Sequence, residues 1–361
     1  MPTALKPKHR SSNLELFRII TMILIVAHHY VVNSDLFAAL LESNRHSVTN
    51  IFLVAFGAWG KMGINCFVLI TGYFMCQSKI TGKKYFKLLF EVMFYKIVIW
   101  TIFVAAGLES ISLTSLLNTF LPTTSVASGF TDCFLIFYLL IPFVNILIEN
   151  LDRKKHLYLT AILVFAYTIM GAIPWFTVSF NYISWFFVLY LIAAFIRKYP
   201  TPCFDNTKLW GLLTLASVLI SLASVVVIYM YGNKIKIISA DDPYYLLSDS
   251  HRPMALITAV SAFMFFKNLK LPYIGFINTV GATTYGVLLI HSHSDAMRQW
   301  LWNDTLDIMG YYTSASIYLH AFVSVIIVFA ACSLIDFIRI KTVEVAAMKV
   351  FDKFAAKRNK A

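Results

Sequence analysis

Apolar runs of about 20 residues recur along the whole of this chain, each long enough to cross a hydrocarbon core of about 30 Å as a helix. In lipid a backbone must find its hydrogen bonds within its own segment, so repeated runs of this kind predict a bundle of helices. The alternating pattern of a membrane barrel is absent. Charge is scarce to match. Only 13% of the 361 residues are charged and 59% are apolar, against about 25% and about 45–50% in an ordinary soluble domain. The expected fold class is all-α, a polytopic membrane helix bundle of about ten transmembrane helices.

The spans are expected near 14–32, 51–76, 85–107, 131–149, 157–175, 182–197, 209–231, 253–268, 279–297 and 316–338. Lysine and arginine set their orientation. On one side fall Lys6, Lys8, Arg10, Lys79, Lys83, Lys84, Lys87, Arg153, Lys154, Lys155, Arg197, Lys198, Lys208, Lys267, Lys270 and a basic tail from Arg339 to Lys360, 22 of the 30 basic residues. The other side holds six: Arg45, Lys61, Lys234, Lys236, Arg252 and Arg298. Arg18 and Lys96 fall within spans. This bias puts the N-terminus and C-terminus in the cytoplasm and accounts for the net charge of +12 without nucleic acid. The chain reads as one integral-membrane domain over 1–361, with a cytosolic tail over 1–13, the bundle over 14–338 and a basic cytosolic tail over 339–361. Its first span has no small-residue cleavage site after it and is expected to stay in place.

Cys66, Cys76, Cys133, Cys203 and Cys332 have no metal-ligand spacing, so free thiols and no metal are expected. No internal repeat at a fixed period is visible, which disfavours a transporter built from paired halves.

The first span carries Glu15, Arg18, His28 and His29. Ionisable groups in a membrane helix are costly and face a bundle interior or a wet cavity. At about 100° per residue, His29 points within about 20° of Arg18 and Glu15 about 60° from it, whereas His28 points about 80° away. Arg18 and His29 are separated by about 16 Å along the axis. Two readings are open: a helix-end ion pair with histidines at the headgroups, or a working stripe of acid, guanidinium and imidazole.

The arginine followed by ten residues and a histidine, Arg18 and His29, with an acid three positions earlier, Glu15, resembles the acyltransferase-3 family of bacterial membrane-bound acyltransferases that modify cell-surface glycans. The second span, with Asn65, Phe67, Thr71, Gly72 and Tyr73, is similar to the family's phenylalanine-rich run ending Ser-Gly-Phe, with Thr71 for Ser and Tyr73 for Phe. Lys83, Lys84 and Lys87 match a basic stretch opening the third helix, where the family often has arginines. The ninth span, from Gly281 through Thr284 and Tyr285 to His291, resembles the family's Gly-x-x-Ser-Tyr-x-x-Tyr-Leu-x-His segment without its second tyrosine.

The resemblance implies transfer of an acyl group, acetyl by expectation, from cytosolic acetyl-CoA to a hydroxyl of a glycan or lipid-linked saccharide, in the bacterial plasma (inner) membrane. A hydroxyl is a weak nucleophile, and a histidine with an unperturbed pKa of about 6.5 suits the general base; that role falls to His29, with covalent acyl transfer through the same ring left open. Arg18, oriented by Glu15, is expected to bind the donor's phosphate or thioester end through its forked donors. Lys83, Lys84 and Lys87 are expected to draw in the CoA head group, or else simply to obey the positive-inside rule. Asn65, Tyr285 and His291 are the expected substrate-binding residues. Asn65 either bonds a neighbouring helix or lines the pore, and His291 is expected near the outer end beside His29, with His293 at the interface. The competing reading is a flippase or transporter of lipid-linked sugars, which could also keep Arg18 and His29 in a wet cavity. A glycan polymerase is a second competitor and is expected to carry a larger outer loop.

Overall fold

A computed structural model describes residues 11–124, 129–234 and 242–358. Lys6, Lys8, Arg10, Lys236 and Lys360 lie outside them. Among the described residues there are helices and no strands: α1 Ser12–Val32, α2 Leu36–Glu42, α3 Val48–Phe56, α4 Gly60–Met75, α5 Gly82–Ala105, α6 Leu113–Phe120, α7 Phe130–Glu149, α8 Arg153–Val164, α9 Tyr182–Lys198, α10 Thr207–Tyr231, α11 Pro253–Asn268, α12 Gly275–His291, α13 Asp295–Arg298, α14 Ile308–Tyr312, α15 Ile317–Lys341 and α16 Val343–Arg358.

Short polar residues set where several helices begin. Thr81, Asp152, Asn181 and Asn206 each accept a backbone N–H of the first turn of α5, α8, α9 and α10 through their side chains. Each of the ten expected spans coincides with helical structure. Among the described residues, seven stretches are long and apolar enough to cross a membrane: Ser12–Val32, Val48–Met75, Gly82–Ala105, Phe130–Glu149, Arg153–Ala172, Thr207–Tyr231 and Ile317–Lys357. The other three, α9, α11 and α12, have 17, 16 and 17 residues. α9 is also among the most enclosed, with Trp185, Phe186, Val188, Leu189, Tyr190, Leu191, Ala193 and Ala194 all buried.

α1 runs through the middle of the bundle and packs on α4, α12, α15 and α11. At the periphery α10 turns Leu212, Leu215, Leu219 and Ile220 outward. An exposed apolar wall of this kind is stable against lipid and unstable against water. The chain is a multi-pass membrane protein.

Three expected boundaries differ. The second span is not one helix: it breaks at residues 57–59 into α3 and α4, beside glycines that are poor helix formers. The fifth winds from α8 into a wider turn over Phe165–Ile169 and a tighter one over Met170–Ala172, and ends there. The expected basic tail does not start at 339. α15 continues to Lys341, Arg339 is 2% exposed, and residues 343–358 form a further helix. Arg339 stays inside because its guanidinium reaches Asp336 at 2.7 Å, Glu344 at 2.9 Å and Glu91 at 3.1 Å, so a buried charge is paired on three sides.

Candidate functional site

At the end of the bundle where α1 and α12 finish and α7 and α9 begin lies a cavity of about 660 Å³. His28 and His29 of α1 both border it, together with Lys61 of α4, Lys96 of α5, Asp132 of α7, Tyr182 of α9, and His293 and Arg298 beyond α12.

The ring atoms of His29 are set by a hydrogen-bonded chain. His291 Nδ1 lies 2.5 Å from the Val287 carbonyl, one turn earlier on α12, and His291 Nε2 lies 2.8 Å from His29 Nδ1. A carbonyl can only accept, so His291 Nδ1 carries the proton and Nε2 holds the lone pair. His29 Nδ1–H must then donate to it, which leaves a lone pair on His29 Nε2, on a ring that faces the cavity. His291 itself is fully buried and closed off from the cavity; Trp302 packs edge-on against its other side at 6.4 Å between centroids. It therefore contacts His29 and does not line the cavity.

His28 borders the same cavity but has a different tie. Its Nδ1 donates to the Gly57 carbonyl at 2.5 Å, in the break between α3 and α4, and its ring lies against Gly60 so closely that a Cβ there would overlap it. The two histidines thus differ in their partners, not in access to the cavity.

Glu15 and Arg18 form an ion pair at 2.9 Å near the opposite end of α1, with Glu15 buried and packed on Gly281 of α12. They do not line the cavity that His29 borders. At the start of α5, Lys83 pairs with Asp352 at 2.8 Å and Lys87 with Glu344 at 2.6 Å, both carboxylates belonging to α16, while Lys84 reaches the Lys79 carbonyl at 2.8 Å. Asn65 is fully buried: it donates to the Ser250 carbonyl at 2.7 Å and accepts from Trp185 Nε1 at 2.8 Å. Of its two open readings, the helix-bonding one is what the geometry has. Tyr285 sets its ring beside Phe134, 6.2 Å between centroids, and does not line the cavity.

Beyond α10 the described residues 242–252 pack over the bundle, and Asp241 lies outside the described residues. Tyr244 and Tyr245 donate to the carbonyls of Val54 and Ala172 at 3.0 Å each, and Arg252 to that of Gly171 at 2.6 Å. Burial against Phe180 and Trp185 pushes the His251 imidazole below its ordinary value, against the pull of Asp249 and with some help from Arg252.

Two groups of residues were not singled out as site residues in the sequence. Lys61, Lys96, Asp132, His293 and Arg298 converge on the cavity, and Glu91, Tyr95, Asp336, Arg339 and Glu344 form the buried network below it. Tyr95 joins them, bordering the cavity while donating to Asp336 at 2.8 Å. The signal available was Glu91 and Lys96 inside an apolar run, since intramembrane charges are costly unless used.

The model of the acyltransferase-3 family, described as an acyltransferase domain, matches residues 11–336. No curated protein and no solved structure matches the chain.

Proposed function

The chain belongs to the acyltransferase-3 family, and from that premise we propose that it transfers an acyl group, acetyl in the simplest case, from cytosolic acyl-CoA to a hydroxyl of a cell-surface or lipid-linked glycan. The observation that carries the reading is the chain from the Val287 carbonyl through His291 to His29 on the cavity wall. A base must be held in one tautomer with its lone pair toward the substrate, and this arrangement supports that for His29 Nε2.

In the proposed reaction the acceptor hydroxyl gives its proton to His29 Nε2 as its oxygen attacks the thioester carbonyl. A C–O bond forms, the C–S bond breaks, and the CoA sulfur leaves and takes up the proton from His29. The donor enters from the cytosolic end, where Arg18, braced by Glu15, meets its phosphates and Lys83, Lys84 and Lys87 attract its head group. Lys83 and Lys87 exchange their carboxylate partners on α16 for the donor's phosphates.

The test is transfer of label from acetyl-CoA into membrane glycan, normalised to protein level. His29→Ala is expected to lose at least about 10²-fold, as for removal of a general base. His28→Ala should keep most activity, because its ring is tied to the Gly57 carbonyl. Arg18→Lys should be markedly impaired although charge is kept, since the fork is lost. Equal loss from both histidines would remove the assignment, and absence of label in the wild type would favour a sugar-lipid flippase.

A further inference from the structure

The positive-inside rule makes basic residues rare on the outer side: six of 30 in this chain by the expected topology. Two of those six, Lys61 and Arg298, border the cavity of His29, and a third cation, Lys96, reaches it from within the membrane part of α5. Topology does not call for them there. Against these three charges the cavity wall carries one carboxylate, Asp132.

Their partners leave them incompletely neutralised. Lys61 donates to the Tyr182 hydroxyl at 3.1 Å and has no carboxylate within 4 Å among the described residues. Lys96 lies 3.8 Å from Asp132 and donates to the carbonyls of Leu121 at 3.1 Å and Pro122 at 3.4 Å. Arg298 pairs at 2.9 Å with Asp295, whose side chain is 96% exposed and so screened by water, while Arg298 Nε is buried without a partner. Cations gathered in a partly dry cavity cost free energy unless an anion meets them.

We propose that the acceptor carries an anionic group, phosphate or carboxylate, that docks on Lys61, Lys96 and Arg298 and so brings its hydroxyl to His29. The inference rests on the acyl-transfer reading, which places the donor's own phosphates at the other end of the bundle. A cavity of 660 Å³ is within the range of about 300–1,000 Å³ that takes a small molecule, enough for a sugar with one charged substituent. The anion has two chemical sources: the phosphate that links a saccharide to its carrier lipid, or the carboxylate of an acidic sugar.

The test uses the full-length protein in detergent with saturating CoA, so that donor phosphates are already placed. Thermal stabilisation is titrated with inorganic pyrophosphate, glucuronate and neutral methyl glucoside. The expected result is that an anion binds at least about tenfold tighter than methyl glucoside, as for hydrogen bonds to charged groups. Pyrophosphate above glucuronate indicates the lipid-linked source, and the reverse order the acidic sugar. Combined Lys61→Gln, Lys96→Gln and Arg298→Gln should erase the preference. Should the triple variant not fold, Arg298→Gln alone should weaken the anion and Arg298→Lys should restore part of it. His29→Ala should bind the anion as the wild type does while transferring no label. Equal binding of all three probes, or a preference that survives the triple variant, overturns the proposal. Anion binding as expected in a wild type that transfers no label overturns the acyl-transfer reading, and with it the identification of the anion as an acceptor's.

Discussion

At the scale of single residues, the pair His29 and His291 is where a small change should be most informative. His291 does not line the cavity; it gives His29 Nδ1–H a place to donate. Replacing it with Leu removes that acceptor, so His29 loses its tautomer preference and its orientation. A drop in kcat of about 10–100-fold is expected, the range for partners that orient a working histidine, with little change in donor KM. His291→Gln, which keeps an accepting oxygen, should recover part of the loss. Were donor KM to rise and kcat to hold, His291 would be a binding residue after all. The eleven-residue spacing from Arg18 to His29 was legible as a shared helix face. The contact with His291, 262 positions away in the chain, was not. Helical periodicity reports direction around one axis and says nothing of which neighbour occupies that direction.

At the scale of elements, the basic start of α5 and the C-terminal helix α16 form one unit. Substituting Lys83, Lys84 and Lys87 together by Gln should raise the donor's apparent KM more than it lowers kcat, because a surface charge cluster aids encounter and ground-state binding. Added salt should act in the same direction. The pairing with α16 adds a counter-test. Asp352→Asn frees Lys83 without removing it, so donor KM should fall or stay level. If KM rises in Asp352→Asn as much as in the lysine variant, the ion pair serves to hold α16 and the donor assignment fails. A collapse of kcat at constant KM would mean the lysines take part in chemistry. α16 itself was read as part of a basic tail from the lysines and arginines it carries. What folds it back is Glu344 reaching Arg339 and Lys87, contacts between segments that composition does not reveal.

For the whole molecule, the expected layout with both termini cytoplasmic makes a direct prediction. Reporter fusions after Lys155 and Lys198 should read cytoplasmic, and fusions in the loops 108–130 and 232–252 should read external. An odd number of crossings would put Lys357 outside and break that layout. The bundle was legible in the sequence because a bilayer imposes a one-dimensional rule: an apolar run of fixed length must be a helix wherever it lies. The same rule placed Glu15, Arg18 and His29 in an interior, since lipid does not accept them. Tertiary structure alone decided which interior. It put Lys61, Lys96, Asp132 and Arg298 around the histidines, sent Arg18 to the far end of α1, turned Asn65 into a bridge and buried Arg339 among three carboxylates. Those placements depend on the packing of helices against one another, where interaction falls off within a few ångström and links residues hundreds of positions apart. The solvent writes the first kind of information into every segment separately, whereas the second exists only once the segments have met.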